Sequence, residues 1–138
     1  MARYVLEVMY DGTKFHGSQL QGDTPTVQLA INNTLSTIFR QPIASYGASR
    51  THEGVHALCN YYHFDTDEEI RFDLLYKCNA ILGDGVAVKR VCRVADTFNA
   101  RFDATARRYR YRIYSHKNPF LVNKALFVDC SCIHANQE

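Results

Sequence analysis

Residues 49–57 read Ser-Arg-Thr-His-Glu-Gly-Val-His-Ala and bring an arginine, two histidines and a glutamate into one short stretch. Within it, His52-Glu53-Gly54-Val55-His56 matches the HExxH pattern of zinc hydrolases. That chemistry needs a helix. Histidines at i and i+4 then share a face and hold the metal, while the glutamate polarises a bound water. Gly54 and Val55 are both poor helix formers. The residues before the motif, 45–49, carry no apolar repeat of helical period. Those after it, 57–66, include the β-favouring Tyr61, Tyr62 and Phe64 and read as a strand. The extended metzincin spacing would put glycine at Cys59 and histidine at Tyr62, and neither is present. Cys59 and His63 could ligate from a strand, or be a half-buried thiol and a hydrogen-bonded strand histidine. The local sequence therefore favours a non-helical loop without a metal over a zinc site.

A second chemically loaded stretch lies downstream. Residues 101–117 hold six basic side chains and one acid, a local charge of +5 in a chain whose net charge is +2, so the remainder carries −3. A basic segment on a mildly acidic body suggests a local anion site rather than a general polycation. Read as a strand, residues 107–113 alternate: Arg108, Arg110 and Arg112 on one face, and Arg107, Tyr109, Tyr111 and Ile113 on the other. Three arginines in a row could meet successive phosphates of an RNA backbone, and an aromatic could stack on an unpaired base. The plainer reading is a solvated arginine face over tyrosines that belong to the core.

The elements that would position these residues alternate between strand and helix. Tyr4, Leu6, Val8 and Tyr10 mark a first strand. Thr24 with Pro25 reads as a helix cap, followed by an apolar stripe of Val27, Ile31, Leu35 and Ile38. Residues 42–48 are a weaker strand and 57–66 a clear one. Phe72, Leu75, Cys78, Asn79 and Leu82 suggest a second helix, ended by Gly83-Asp84-Gly85. Residues 86–94 and 107–115 are predicted strands, and a short one is expected at 125–129. This order resembles the split β-α-β, ferredoxin-like arrangement: an α+β fold with a mostly antiparallel sheet and its helices on one face.

Composition sets the outer limits. The 138 residues, 46% hydrophobic, suit one domain with a real core. No apolar run reaches membrane-spanning length and no basic-then-apolar leader opens the chain, so no membrane partner is expected and the cytoplasm is the default compartment. The five cysteines form no Cys-x-x-Cys pair, which argues against a disulfide framework or a zinc ribbon, and Cys130-Ser131-Cys132 reads as strand.

Several motifs, in order, resemble the TruA family of tRNA pseudouridine synthases. They are Tyr10-Asp11-Gly12-Thr13-Lys14-Phe15-His16-Gly17-Ser18-Gln19, then Thr26-Val27-Gln28 opening a helix, then Arg50-Thr51 with Gly54-Val55-His56-Ala57. His63-Phe64-Asp65-Thr66, Asn79-Ala80-Ile81-Leu82, the run from Phe98 to Ala104 and the run from Arg107 to Tyr111 follow. The sequence departs from the family twice. Ser18 stands where the family usually has tryptophan, and His52 stands where it has the catalytic aspartate.

The resemblance implies isomerisation of uridine to pseudouridine in the anticodon stem-loop of tRNA, with no cofactor. The target base is flipped out of its stack, and a carboxylate starts the reaction. It implies that position 52 is the catalytic one, that Arg50 pairs with the carboxylate, and that Tyr109 stacks on the uracil. Thr51, Gly54, Arg108, Arg110 and Arg112 complete the expected substrate contacts, Gly54 by permitting a tight turn. A neutral imidazole offers one acceptor nitrogen and no charge, so His52 predicts little or no turnover. The alternatives are a non-catalytic RNA-binding module on the same fold and the zinc hydrolase. The resemblance further implies a homodimer at full length, and that residues 1–138 are the N-terminal half of a longer synthase whose C-terminal half is absent.

Overall fold

A computed structural model describes residues 1–122 and 124–127, in two compact units, Met1–Thr105 and Ala106–Glu138. The first unit contains strands β1 (Ala2–Tyr10), β2 (Ser45–Gly47), β3 (Ala57–Thr66) and β4 (Val86–Val94) and helices α1 (Val27–Phe39) and α2 (Leu74–Ile81). The strands form one sheet in the order β2-β3-β1-β4, and every neighbouring pair is antiparallel. With its β-α-β-β-α-β chain order, this is the expected ferredoxin-like architecture.

The alternation read in β1 decides what is inside. Leu6, Val8 and Tyr10 are buried and join Tyr62 and Phe64 of β3 and Val86 and Val88 of β4. Over them lie Val27, Ile31, Leu35 and Phe39 of α1 and Leu74 and Cys78 of α2. Burial pushes the Cys78 thiol pKa up to about 11, which leaves it an inert core residue. At the register shift between Glu7 and Val8 of β1, Asn79 serves the backbone of β4. Its Oδ1 accepts from the Val88 N–H at 2.8 Å and its Nδ2 donates to the Val88 carbonyl at 2.9 Å. One side chain thus ties α2 to the sheet where the ladder is irregular.

The helix cap differs from expectation. Thr26, not Thr24, is the N-cap: its Oγ1 accepts from the Leu29 N–H at 3.2 Å. Thr24 is spent in the preceding turn, its N–H donating to the Gln21 carbonyl at 3.1 Å. Helix α2 is capped by Asp73, which accepts from the Tyr76 N–H at 3.0 Å, so Phe72 precedes the helix instead of opening it. The strand expected at 42–48 shortens to β2.

The second unit corrects a larger expectation. The strand predicted for residues 107–115 is regular only at β5 (Ile113–Tyr114), which pairs in parallel with β6 (Leu126–Phe127). Among the described residues, 107–112 form no ladder, their one bond to the neighbouring strand being the Arg112 carbonyl accepting from the Leu126 N–H, and a strand without a ladder has little to hold its pleat. Tyr109 and Tyr111 are 61% and 75% exposed, so neither is a core residue, and Arg108, Arg110 and Arg112 are exposed as well. The two-faced pattern read from the sequence is therefore not realised. The strand expected at 125–129 is seen at Leu126–Phe127; Ala125 lies in a bend, and residues 128 and 129, with Cys130 and Cys132, lie outside the described residues.

Candidate active site

The loop between β2 and β3 holds Arg50, Thr51, His52 and Gly54, and it is not helical. Residues 53 and 54 form a turn, closed by the Val55 N–H donating to the His52 carbonyl at 3.2 Å. Gly54 has φ of 83°, a conformation that L side chains resist. The two histidines of the HExxH pattern accordingly face different surroundings. His52 is exposed at a surface depression, while His56 turns inward, its Nδ1 accepting from the Gly12 N–H at 3.0 Å. That nitrogen also sits 3.2 Å from Asp11 Oδ1. Glu53 accepts from His16 Nδ1 at 2.7 Å. The geometry that zinc hydrolysis requires is absent from this motif. His63 is buried with a backbone partner, as the plainer reading of that residue has it, whereas the Cys59 thiol is exposed rather than half-buried.

Side chains from the sheet and the preceding loop fasten this bend. Ser18 is 1% exposed, and its Oγ accepts from the Thr51 N–H at 2.7 Å. The Ser18 N–H donates to the Thr51 carbonyl at 3.0 Å, so the two residues grip each other in both directions. Asn60, buried in β3, accepts from the Ser49 N–H at 3.2 Å and donates to the Ser49 carbonyl at 3.1 Å. It also donates to the Tyr10 hydroxyl, which meets Thr51 Oγ1 at 2.7 Å. Gly12 lies so close beneath the loop that a Cβ there would come within 2.0 Å of the Val55 carbonyl oxygen. Residues 17 and 18 serve a second element too: their carbonyls accept from the N–H groups of Val27 and Gln28 in the first turn of α1, at 3.3 and 3.0 Å.

Arg50, Thr51, His52 and Glu53 line a depression of about 490 Å³ with His16, Gly17 and Thr24 among its other walls. Arg50 and Gln19 also line a second depression of about 410 Å³, toward β2 and residues 99–102. The structure therefore brings Arg50, Thr51 and His52 together, with Gly54 at the adjoining turn. Tyr109, Arg108, Arg110 and Arg112 belong to the other unit. Sequence reasoning missed the fastening residues Tyr10, Asn60 and His16. Ser18 was visible only as a departure from tryptophan, with no role attached.

The run from Phe98 to Ala104 is bound to the sheet from the opposite side. Arg3 donates to both carboxylate oxygens of Asp65, at 2.8 and 2.9 Å, and to the Phe98 carbonyl. The hydrogen bond from Arg3 holds the Asp65 carboxyl below its usual range. His63 Nδ1 accepts from the Ala100 N–H at 3.0 Å. Burial, with Arg3 nearby, holds the His63 pKa below the ordinary imidazole value.

Curated relatives decide the ancestry. A protein of Shewanella pealeana named tRNA pseudouridine synthase A is 44% identical over 117 residues, which is 83% of this chain and 44% of that protein. Proteins of the same name from Bacteroides thetaiotaomicron and Shigella boydii serotype 4 are each 40% identical, over 121 and 127 residues. Those alignments take in 87% and 90% of this chain and 45% and 47% of the relatives. Over the aligned stretch the chain is similar to the N-terminal region of these tRNA pseudouridine synthase A proteins. No protein-family profile matches the chain. The chain spans about half the length of the curated relatives it matches.

Proposed function

We propose that this chain is the part of a tRNA pseudouridine synthase that carries the catalytic loop, acting on the anticodon stem-loop of tRNA in the cytoplasm. The observation that carries the reading is the bend at Arg50-Thr51-His52, which turns residue 52 outward into a polar depression shared with Arg50. A flipped uridine needs such a recess, with a reactive group at its wall and a cation to hold the strand. The names of the relatives at 40–44% identity supply the reaction class. In this reading Arg50 meets the phosphate or the catalytic carboxylate, Tyr109 stacks on the base, and Arg108, Arg110 and Arg112 track the backbone. The other wall of the cleft, and the homodimer, come with the remaining length of the synthase.

His52 makes the chain as written a poor catalyst, because an imidazole cannot supply the paired anionic oxygens of a carboxylate. Glu53 does not stand in for it, since it is held by His16. The test compares the parent with His52→Asp in a protein extended to the length of the relatives, measuring pseudouridine formed in tRNA. We expect turnover to rise by at least a hundredfold in the aspartate variant. Equal, robust turnover in both would refute the impairment. Tight binding of the stem-loop with no conversion by either would leave a non-catalytic RNA-binding module as the function.

A further inference from the structure

We infer that the depression beside β2 is a second nucleobase site, which holds an unpaired base next in the strand to the nucleotide lodged at His52. This rests on the proposed function and names a contact within it. Arg50 stands in the wall of both depressions, so a phosphate at Arg50 would place consecutive nucleotides on its two sides. The recess, about 410 Å³, lies within the range of sites that take small planar ligands.

Its walls are fixed before any ligand arrives. Gln28 ties two of them together, its Oε1 accepting from the Leu20 N–H at 2.8 Å and its Nε2 donating to the Ser45 carbonyl at 2.6 Å. The third wall is the turn at residues 99–103. There Asn99 Oδ1 accepts from the N–H groups of Arg101 and Phe102 at 2.9 and 3.0 Å, and Asp103 accepts from the Asn99 N–H at 2.7 Å. The bond from Ala100 to His63 anchors that turn to the sheet.

On this rigid turn Phe102 is 77% exposed, with the Arg101 guanidinium 5.6 Å from its ring centre. A large aromatic that is firmly held yet contributes nothing to the core has its face available for stacking. Tyr46, across the recess, is also exposed. Tyr62 also lines the recess; its buried hydroxyl has no well-formed hydrogen-bond partner among the described residues, with the Ser18 hydroxyl the nearby polar group. Two cations and two exposed aromatics around a recess with a mostly apolar lining match the chemistry of a nucleotide: a π-face to stack and a phosphate to pair.

The experiment measures binding of this chain to an anticodon stem-loop RNA by fluorescence anisotropy, for the parent, Phe102→Ala and Phe102→Trp. It uses the intact RNA and a set with single abasic replacements walked along the loop. We expect Phe102→Ala to weaken binding of intact RNA by roughly tenfold, and Phe102→Trp to restore it. At one abasic position the parent and the alanine variant should bind alike. If the penalty persists at every abasic position, Phe102 contacts the backbone or acts indirectly and the base site is refuted. Parent-like binding by Phe102→Ala refutes it as well. If the parent binds the stem-loop neither alone nor extended to the length of the relatives, the proposed function itself falls, and the site with it.

Discussion

The loop at residues 48–56 and the basic stretch at residues 107–112 are both candidates for RNA contact, yet they are organised in opposite ways. The loop has no regular secondary structure, but it is bound at nearly every residue, by Ser18, Tyr10, Asn60, Gly12 and its own turn. The arginine stretch has the more regular sequence and little regular structure, with side chains in solvent. Regular periodicity and structural order are therefore separate properties. A pattern becomes an element only when a neighbour completes its hydrogen bonds. The loop suits chemistry, which needs atoms held in place, and the arginine stretch suits electrostatic capture, which needs only charge and reach.

The strongest way to break this contrast is Gly12→Ala. The added methyl has no room against the Val55 carbonyl, so the loop or β1 must shift. We expect a loss of about 3 kcal/mol in urea denaturation, together with loss of any activity gained by His52→Asp. Wild-type stability in this variant would mean that the loop is looser than its hydrogen bonds suggest.

A smaller effect is expected from pH. The folded protein holds His63 below the ordinary imidazole pKa, because burial and Arg3 oppose its charge. As pH falls through about 6.5 the unfolded chain takes up a proton that the folded one resists. The stability contributed is thus complete above that value and lost below it, down to the folded pKa. Urea midpoints at pH 8 and pH 5 should show the fall. His63→Asn, whose Oδ1 stands where Nδ1 stood, should keep the acceptor for Ala100 and flatten the difference. An unchanged slope in that variant would assign the pH dependence to other groups.

The smallest effect on stability, within about 0.5 kcal/mol, is expected for Arg108→Ala or Arg110→Ala, since both side chains are exposed. The same changes should lower the salt dependence of RNA binding by about one ion each, read from the slope of log K against log salt. A substantial loss of stability would show that the stretch is structural after all.

Much of the fold could be read from the sequence because burial follows period. β1 alternates over Leu6, Val8 and Tyr10, and the α1 stripe repeats at helical spacing, so these elements declare their inner faces. Gly54 likewise announced that HExxH would not be a helix. The α1 cap was misplaced because Thr24-Pro25 and Thr26 are equally good candidates on type alone, and the Gln21–Thr24 turn decided between them. Residues 107–112 misled because their alternation is a property of the segment, whereas a ladder belongs to a pair. The loop fasteners could not be seen for a different reason. Ser18 and Asn60 act on backbone groups 33 and 11 residues away, and single polar contacts of that kind leave no periodic trace.

Residues 17 and 18 occupy two posts at once: they close the first turn of α1 and clasp Thr51. If the bend at residue 52 swung outward it would lose both Ser18–Thr51 bonds, and if it carried residues 17 and 18 with it two helical amides would lose their acceptors as well. Under the proposed function, an incoming strand would meet a well-fastened jaw at this place, and most of the adaptation would fall to the nucleic acid.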